Sequence, residues 1–462
     1  MTKVIVVGGG MAGLSAALHL DGVDVTILES SNRLGGRVKT QHLDGWFVEH
    51  GATWLHGTDN DLYRQLSRWN IEMDSSNPLG ADPLVMIGRR DHVFVDEYGH
   101  KLDQNTVDLG LSLFVEAVKG DNLRAQKTLG FGKALDESFA ALCSMKGIER
   151  DLQLDMIFDW CKRNRLSDEG CVDLDLASIC DDDIDGNYFT TVPKGWSQVI
   201  ERMEEEVKAQ GVGIITERAV DSIRFRDGKI GLTDNTGVDH TADYVILAVP
   251  LNELQRLINQ LPVEPKRLKT LNQFAMAQMT KVVLRYTQPW WGPMTSFNFL
   301  TRRLPQLQRP NPPSRHWTDN ICSLEVFRPD FNALLVFVSG EDSLTVEKLS
   351  PEEIVEDLYT MMRPFFVRPI PPPAQVLVTN FSQEPRLNGS WALPPLDADM
   401  RGVFDCIEDH TAKIFIAGEH SAARNGTVDG AYDEGKRAAQ SVMAALQAPC
   451  VCSLFCSPLR LR

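Results

Sequence analysis

Lys3-Val4-Ile5-Val6-Val7 is a β-branched run without polar alternation, the pattern of a parallel strand buried on both faces. Gly8-Gly9-Gly10-Met11-Ala12-Gly13 follows at once, and then Leu14 to Leu20, a run of good helix formers. In a G-x-G-x-x-G reading, Gly8 makes the tight turn, Gly10 lets backbone approach a pyrophosphate, and Gly13 lets the helix pack on the strand. The helix start, with Met11 and Ala12, supplies N–H groups and a partial positive charge to phosphates. Val23–Leu28 reads as a second strand ending at Glu29. An acid there accepts hydrogen bonds from an adenosine ribose and repels a 2′-phosphate, which disfavours NADP. Glycine-rich turns alone are weak evidence, since they occur in many loops. Two strands, a helix and an acid in register predict a doubly wound parallel α/β sheet that binds a dinucleotide.

The next segments bear on which dinucleotide. Arg33-Leu34-Gly35-Gly36-Arg37-Val38 lies just past Glu29, and Glu49-His50-Gly51-Ala52-Thr53-Trp54-Leu55-His56-Gly57 comes soon after. A simple nicotinamide enzyme has no need of a second glycine–arginine turn. Arg37 is suited to neutralise a pyrophosphate, and Gly51-Ala52 lets backbone lie flat against a ring. Each turn taken alone also reads as an ordinary surface turn. Near the other end, the strand Ile414-Phe415-Ile416 runs into Ala417-Gly418-Glu419, and Gly426-Thr427-Val428-Asp429-Gly430-Ala431 opens a long helix through Ala444.

Together these motifs resemble the FAD-dependent amine oxidases, in the polyamine oxidase and spermine oxidase branch, over nearly the whole chain. The resemblance implies FAD as cofactor, with Thr53 and Trp54 completing the flavin turn and Val220 meeting the adenine through its backbone. It also implies that Glu419 binds FAD and that Thr427 and Val428, at the helix N-terminus, face the flavin N1–C2=O edge. A reduced flavin carries negative charge there, which a helix N-terminus stabilises. Ser390 stands where monoamine oxidases carry the cysteine of the covalent link, so the FAD is expected to be non-covalent. Glu29 follows Gly8 by 29 − 8 = 21 positions, slightly fewer than the family usually has, which trims the Leu20–Val23 connection.

Between the ends, Ser197–Gln210 reads as a helix, and Val212–Thr216, Ala219–Phe225, Lys229–Thr233 and Tyr244–Val249 as strands. The expected architecture is a Rossmann-like FAD domain (1–78, 190–266 and 400–448) interleaved with an α+β substrate domain on a mixed sheet (79–189 and 267–399). Residues 449–462 form a Cys-rich tail that reads as frayed or palmitoylated. Cys180-Asp181-Asp182-Asp183-Ile184-Asp185-Gly186 lacks the spacing and distal Glu of an EF-hand, so no metal site is expected and a solvated acidic loop is.

Amine oxidation delivers a hydride from the amine α-carbon to flavin N5 while the nitrogen is neutral. The imine is then hydrolysed to an aldehyde and an amine, and O2 reoxidises the flavin to give H2O2. The resemblance assigns Lys281, in the strand Met279–Tyr286, to the water beside N5; a strand lysine by itself is ordinarily a surface residue. It likewise gives His56 a place in the substrate channel, against the plain reading of a packing histidine in a turn. Trp391 matches one wall of the aromatic cage, and Thr427 replaces the second aromatic wall of monoamine oxidases. Asn187, near Tyr188, falls where some spermine oxidases hold an acid for a distal amine, which counts against spermine itself.

Charge narrows the partners. Among 462 residues, 47 Lys plus Arg face 63 Asp plus Glu, a net of −16, which repels nucleic acid and steers cations such as polyamines. Nine cysteines without a regular framework point to free thiols. No run approaches the roughly 20 apolar residues of a spanning helix. No signal peptide or peroxisomal C-terminus is recognisable, so a cytoplasmic enzyme is expected; its oligomeric state is open, with a monomer favoured. An L-amino-acid oxidase, which needs an arginine clamp that no residue supplies here, and a flavoprotein scaffold remain as alternatives. A histone demethylase is disfavoured, since the chain starts at the FAD strand and lacks the long helical insertion of that class.

Overall fold

The computed structural model describes residues 1–74, 92–95, 100–119, 131–165, 189–226, 228–263, 268–269, 271–292, 296–299, 316–321, 323–327, 329–366, 368–393, 404–405, 408 and 413–447. The chain opens with β1 (Lys3–Val7), α1 (Met11–Leu18), β2 (Asp24–Leu28), β3 (Thr40–Leu43), β4 (Trp46–Glu49), β5 (Leu55–His56) and α2 (Asp61–Arg68). A strand and three helices follow: β6 (His92–Val95), α3 (Gln104–Lys119), α4 (Phe131–Lys146) and α5 (Leu152–Arg165). Next come β7 (Phe189–Thr190), α6 (Ser197–Ala209), β8 (Gly213–Ile215), β9 (Val220–Arg226), β10 (Lys229–Asp234), β11 (Asp239–Ala242), β12 (Tyr244–Leu247) and α7 (Leu251–Ile258). The second half holds β13 (Ala275–Met276), β14 (Met279–Arg285), β15 (Ser296–Phe299), β16 (Ser323–Phe327) and β17 (Ala333–Ser339). It closes with α8 (Glu341–Val346), α9 (Pro351–Met362), β18 (Gln375–Val378), β19 (Ala392–Leu393), β20 (Ile414–Ile416) and α10 (Val428–Gln447).

A five-stranded sheet in the order β20-β12-β1-β2-β8 is parallel throughout. The unbroken apolar run of β1 is explained by what covers it. Val4 and Val6 pack with Leu14, Ala17, Met203 and Val442 from α1, α6 and α10, while Ile5 and Val7 pack with Ile223, Leu232 and Leu254 from β9, β10 and α7. Alternate residues thus enter two different cores, so neither face tolerates a polar side chain. The β9–β11 layer is a separate antiparallel sheet.

The second sheet runs β18-β14-β17-β16-β15-β6, with β6 and β15 parallel and its other pairs antiparallel, a mixed sheet as expected. Each sheet collects strands from distant parts of the chain, which is what an interleaved two-domain reading requires. A third cluster, formed by α3–α5, packs around Phe139 and Phe158, whose rings stack at 3.8 Å, and contains the buried thiol Cys143. Among the described residues, no helix is long and apolar enough to cross a membrane.

Candidate active site

The glycine turn has the close contacts that its spacing predicts. Gly8 has φ +104°, and a Cβ there would lie 2.3 Å from Ala248 O; one on Gly13 would lie 1.9 Å from Gly8 O. Gly10 is different, because its nearest neighbour for a Cβ is Gly35 O at 3.9 Å. The chain is packed tightly behind this turn and open in front of it, at the start of α1, which is the cradle a pyrophosphate needs. Met11 and Ala12, the first residues of α1, are buried at its rim.

Glu29 directly follows β2 and is only 6% exposed. Its Oε2 accepts from Gly9 N at 2.7 Å, while Oε1 accepts from Ser31 N at 2.8 Å and Ser31 Oγ at 2.9 Å. The carboxylate therefore ties the glycine turn to the second strand, and Oε2 keeps acceptor capacity for a ribose hydroxyl. Arg33, to which no role was given from sequence, stitches the next turn by donating to Leu34 O at 3.2 Å, Gly36 O at 2.7 Å and Val38 O at 3.3 Å.

Arg37 and Glu419 enter the sequence argument as separate cofactor contacts; folded, they are partners. Arg37 Nη1 donates to Glu419 Oε1 at 2.6 Å and to Ser390 O at 3.0 Å. Glu419 also accepts from Ala392 N at 3.2 Å and Gly426 N at 3.1 Å. Gly426 in turn lies against Trp391, since a Cβ there would come within 3.3 Å of the indole Cγ and Cδ1. Trp391 and the Gly426-Thr427 turn, the two cage positions, are thus brought together from separate stretches of chain. Thr427 caps α10: its hydroxyl donates to Arg424 O at 2.9 Å and accepts from Gly430 N at 3.0 Å. Its polar capacity is spent on the helix, and Val428 begins that helix, buried.

Lys281 sits on β14, with β17 on one side and β18 on the other. The strand is buried on both faces, so Lys281 does not lie on the solvent face that a strand lysine ordinarily takes. Lys281 is 8% exposed, and its Nζ donates to Glu49 O at 3.2 Å, Gly51 O at 2.5 Å and Thr53 Oγ1 at 2.6 Å. Burial holds its amine well below the ordinary lysine range, with Glu49 opposing that shift. The Gly51 turn that it grips lies flush on Arg37: a Cβ on Gly51 would lie 1.8 Å from Arg37 O, and Ala52 N donates to that oxygen at 3.2 Å. Trp54 leans on Phe337, the residue opposite Lys281 in the sheet.

His56 ends β5 and is half-buried. Its carbonyl accepts from Arg424 Nη1 at 2.8 Å and Asn60 Nδ2 at 3.1 Å, and Arg424 Nη2 pairs with the buried Asp429 at 2.8 Å. The backbone of His56 is thereby anchored to the α10 end of the site. Val220 starts β9, and its carbonyl accepts from Arg256 Nη2 at 2.6 Å. Asn187, Tyr188 and the acidic loop lie outside the described residues.

One chain of contacts thus links Lys281, Gly51–Thr53, Arg37, Glu419, Gly426 and Trp391. The flavin containing amine oxidoreductase family matches residues 11–443. The chain belongs to that family. Its cofactor is FAD, and the open cradle before Gly10 with the buried acid at Glu29 fits that group.

Among sequence relatives of this amine oxidoreductase, polyamine oxidase 1 of Zea mays is 24% identical, over 96% of this chain and 91% of its own length. Polyamine oxidase 7 of Oryza sativa subsp. japonica is 26% identical, over 94% and 93%. Lysine-specific histone demethylase 1B of Mus musculus is 24% identical over 96% of the chain, which spans only 53% of that protein. Among solved structures, putrescine oxidase bound to putrescine has the same fold, with a TM-score of 0.69 at 19% identity, covering 96% of this chain and 99% of its own.

Proposed function

We propose that this flavin amine oxidase oxidises a polyamine, namely spermine, spermidine or an acetylated derivative, with FAD held non-covalently in a cytoplasmic enzyme. The observation that carries the reading is the convergence of a buried lysine, the Gly51–Thr53 turn and the Trp391–Gly426 contact through one set of bonds. The names of the relatives support the substrate class, as does the charge of −16.

FAD, when bound, would supply the two-electron acceptor for the α-carbon hydride, with O2 as the final oxidant and H2O2 as its product. The chain's own residues do the rest. The α1 N-terminus, Gly10 and Glu29 would hold the adenosine and phosphate portion, with Val220 meeting the adenine and the Arg37–Glu419 pair closing the wall beyond. Ala52, Thr53 and Trp54 line the ring side, and the N–H groups that open α10 at Val428 favour negative charge beside them. Trp391 guides the amine over an aromatic face. The His56 imidazole accepts a hydrogen bond from a substrate nitrogen, and the Lys281 ammonium, through its bonds to Gly51 O and Thr53 Oγ1, holds the Gly51–Thr53 turn in place at the reacting centre.

An anaerobic substrate panel tests this. The purified protein is expected to be yellow, to release FAD on denaturation, and to bleach with spermine, spermidine or their acetylated forms. Bleaching by L-amino acids alone, or by a methyl-lysine peptide alone, would overturn the substrate class.

A further inference from the structure

We propose that Glu49 is a positioning residue for Lys281: its buried carboxylate is the counter-charge that keeps the lysine an ammonium and so keeps its three hydrogens aimed. The inference rests on the role given to Lys281 above.

Lys281 Nζ has three acceptors, Glu49 O, Gly51 O and Thr53 Oγ1. An ammonium fills all three, whereas a neutral amine has two hydrogens and a lone pair. Two of the acceptors are carbonyls, which cannot donate. Only Thr53 could turn to serve the lone pair, giving up its bond to Gly51 O at 3.2 Å. The geometry is therefore built for the charged form, yet a buried charge is costly without a counter-charge.

Glu49 supplies one. It is 3% exposed, and its carboxylate accepts from two neutral donors, Trp196 N at 2.8 Å and Thr40 Oγ1 at 2.8 Å. The other charges around this point are already engaged. Glu384 pairs with Lys39 and, at 3.9 Å, with Arg33. His50 is driven toward its neutral form by burial and by Lys39 and Lys281. Burial raises the Glu49 carboxyl and Lys281 lowers it, the mirror of the effect on Lys281.

Glu49→Gln removes the charge at little cost in bonding: its amide oxygen accepts from Trp196 N, and its amide nitrogen donates to Thr40 Oγ1, which also accepts from Ser197 N and turns its own hydrogen away. In the holoenzyme, the pH break in anaerobic flavin reduction that Lys281→Met abolishes is expected to fall in E49Q by about one unit or more. Removing an opposite charge lowers an ammonium's pKa, so the break moves to lower pH. The melting temperature of E49Q should also drop and recover partly when K281M is added.

An unmoved break, or losses in melting temperature that simply add, would reduce Glu49 to a cap on α6 and overturn the proposal. If E49Q fails to fold, a folded E49Q/K281M double variant supports the proposal and an unfolded one overturns it. Unchanged flavin reduction and reoxidation in K281M would remove Lys281 from the reaction, a failure distinct from an unmoved break in E49Q.

Discussion

At the scale of single residues, the site depends on polar groups that are buried and paired. Glu419 is 5% exposed and collects Arg37 together with the amides of Ala392 and Gly426. Breaking a buried ion pair from one side strands the other charge, at about 3–5 kcal/mol when both are fully enclosed. The Arg37 side chain keeps 21% exposure, which places Arg37→Met below that range, at about 2–3 kcal/mol. R37M should melt earlier and purify with less FAD per chain, and adding Glu419→Gln should regain part of the loss. Scanning calorimetry and flavin absorbance read both effects. A wild-type melting temperature in R37M would show that water replaces the arginine freely.

At the scale of elements, the contact between α1 and α10 decides where the helix N-termini point. Ser15 Oγ donates to Tyr432 O at 2.6 Å, and a Cβ on Gly435 would come within 2.1 Å of Ala12 O. Two opposing effects make Gly435→Ala informative. Helix propensity favours alanine by about 1 kcal/mol, whereas a clash with backbone costs about 1–3 kcal/mol and more when neither helix can move. The clash should win, because α1 is pinned between its sheet and α10. G435A is therefore expected to lower the melting temperature and to weaken FAD binding severalfold, since Ala12 lies in the first turn of the phosphate helix. A rise in stability would mean that the two helices separate easily.

At the scale of the whole molecule, the −16 charge acts at long range. With a Debye length near 10 Å at 0.1 M salt, attraction of a polycation weakens steeply as salt rises. If the substrate is the polyamine proposed above, its kcat/KM should fall several-fold between about 20 and 300 mM NaCl while kcat changes little. A salt-independent kcat/KM would show that the acidic surface does not face the entrance. The two sheets also make the halves of the chain interdependent, because β20, drawn from residues 414–416, completes the sheet that β1 begins.

Local patterns made much of this legible. The run from Lys3 to Glu29 carries strand, turn, helix and acid within a few neighbours of each other, and backbone sterics and burial act at that range. The strands at 220–247 and 279–285 and the helix at 428–447 follow from the same local rules. The pairings were not legible in this way. Lys281 meets Thr53 across 228 positions, and Arg37 meets Glu419 across 382. Glu49 showed no role in sequence, since an acid at the end of an edge strand ordinarily faces water. The sequence by itself determined the cofactor cradle, from β1 through the glycine turn and α1 to the acid after β2, because these rest on neighbours. Only the tertiary structure decided which charges are buried and with what partner, because burial and the counter-charges it demands are properties of packing, not of order along the chain.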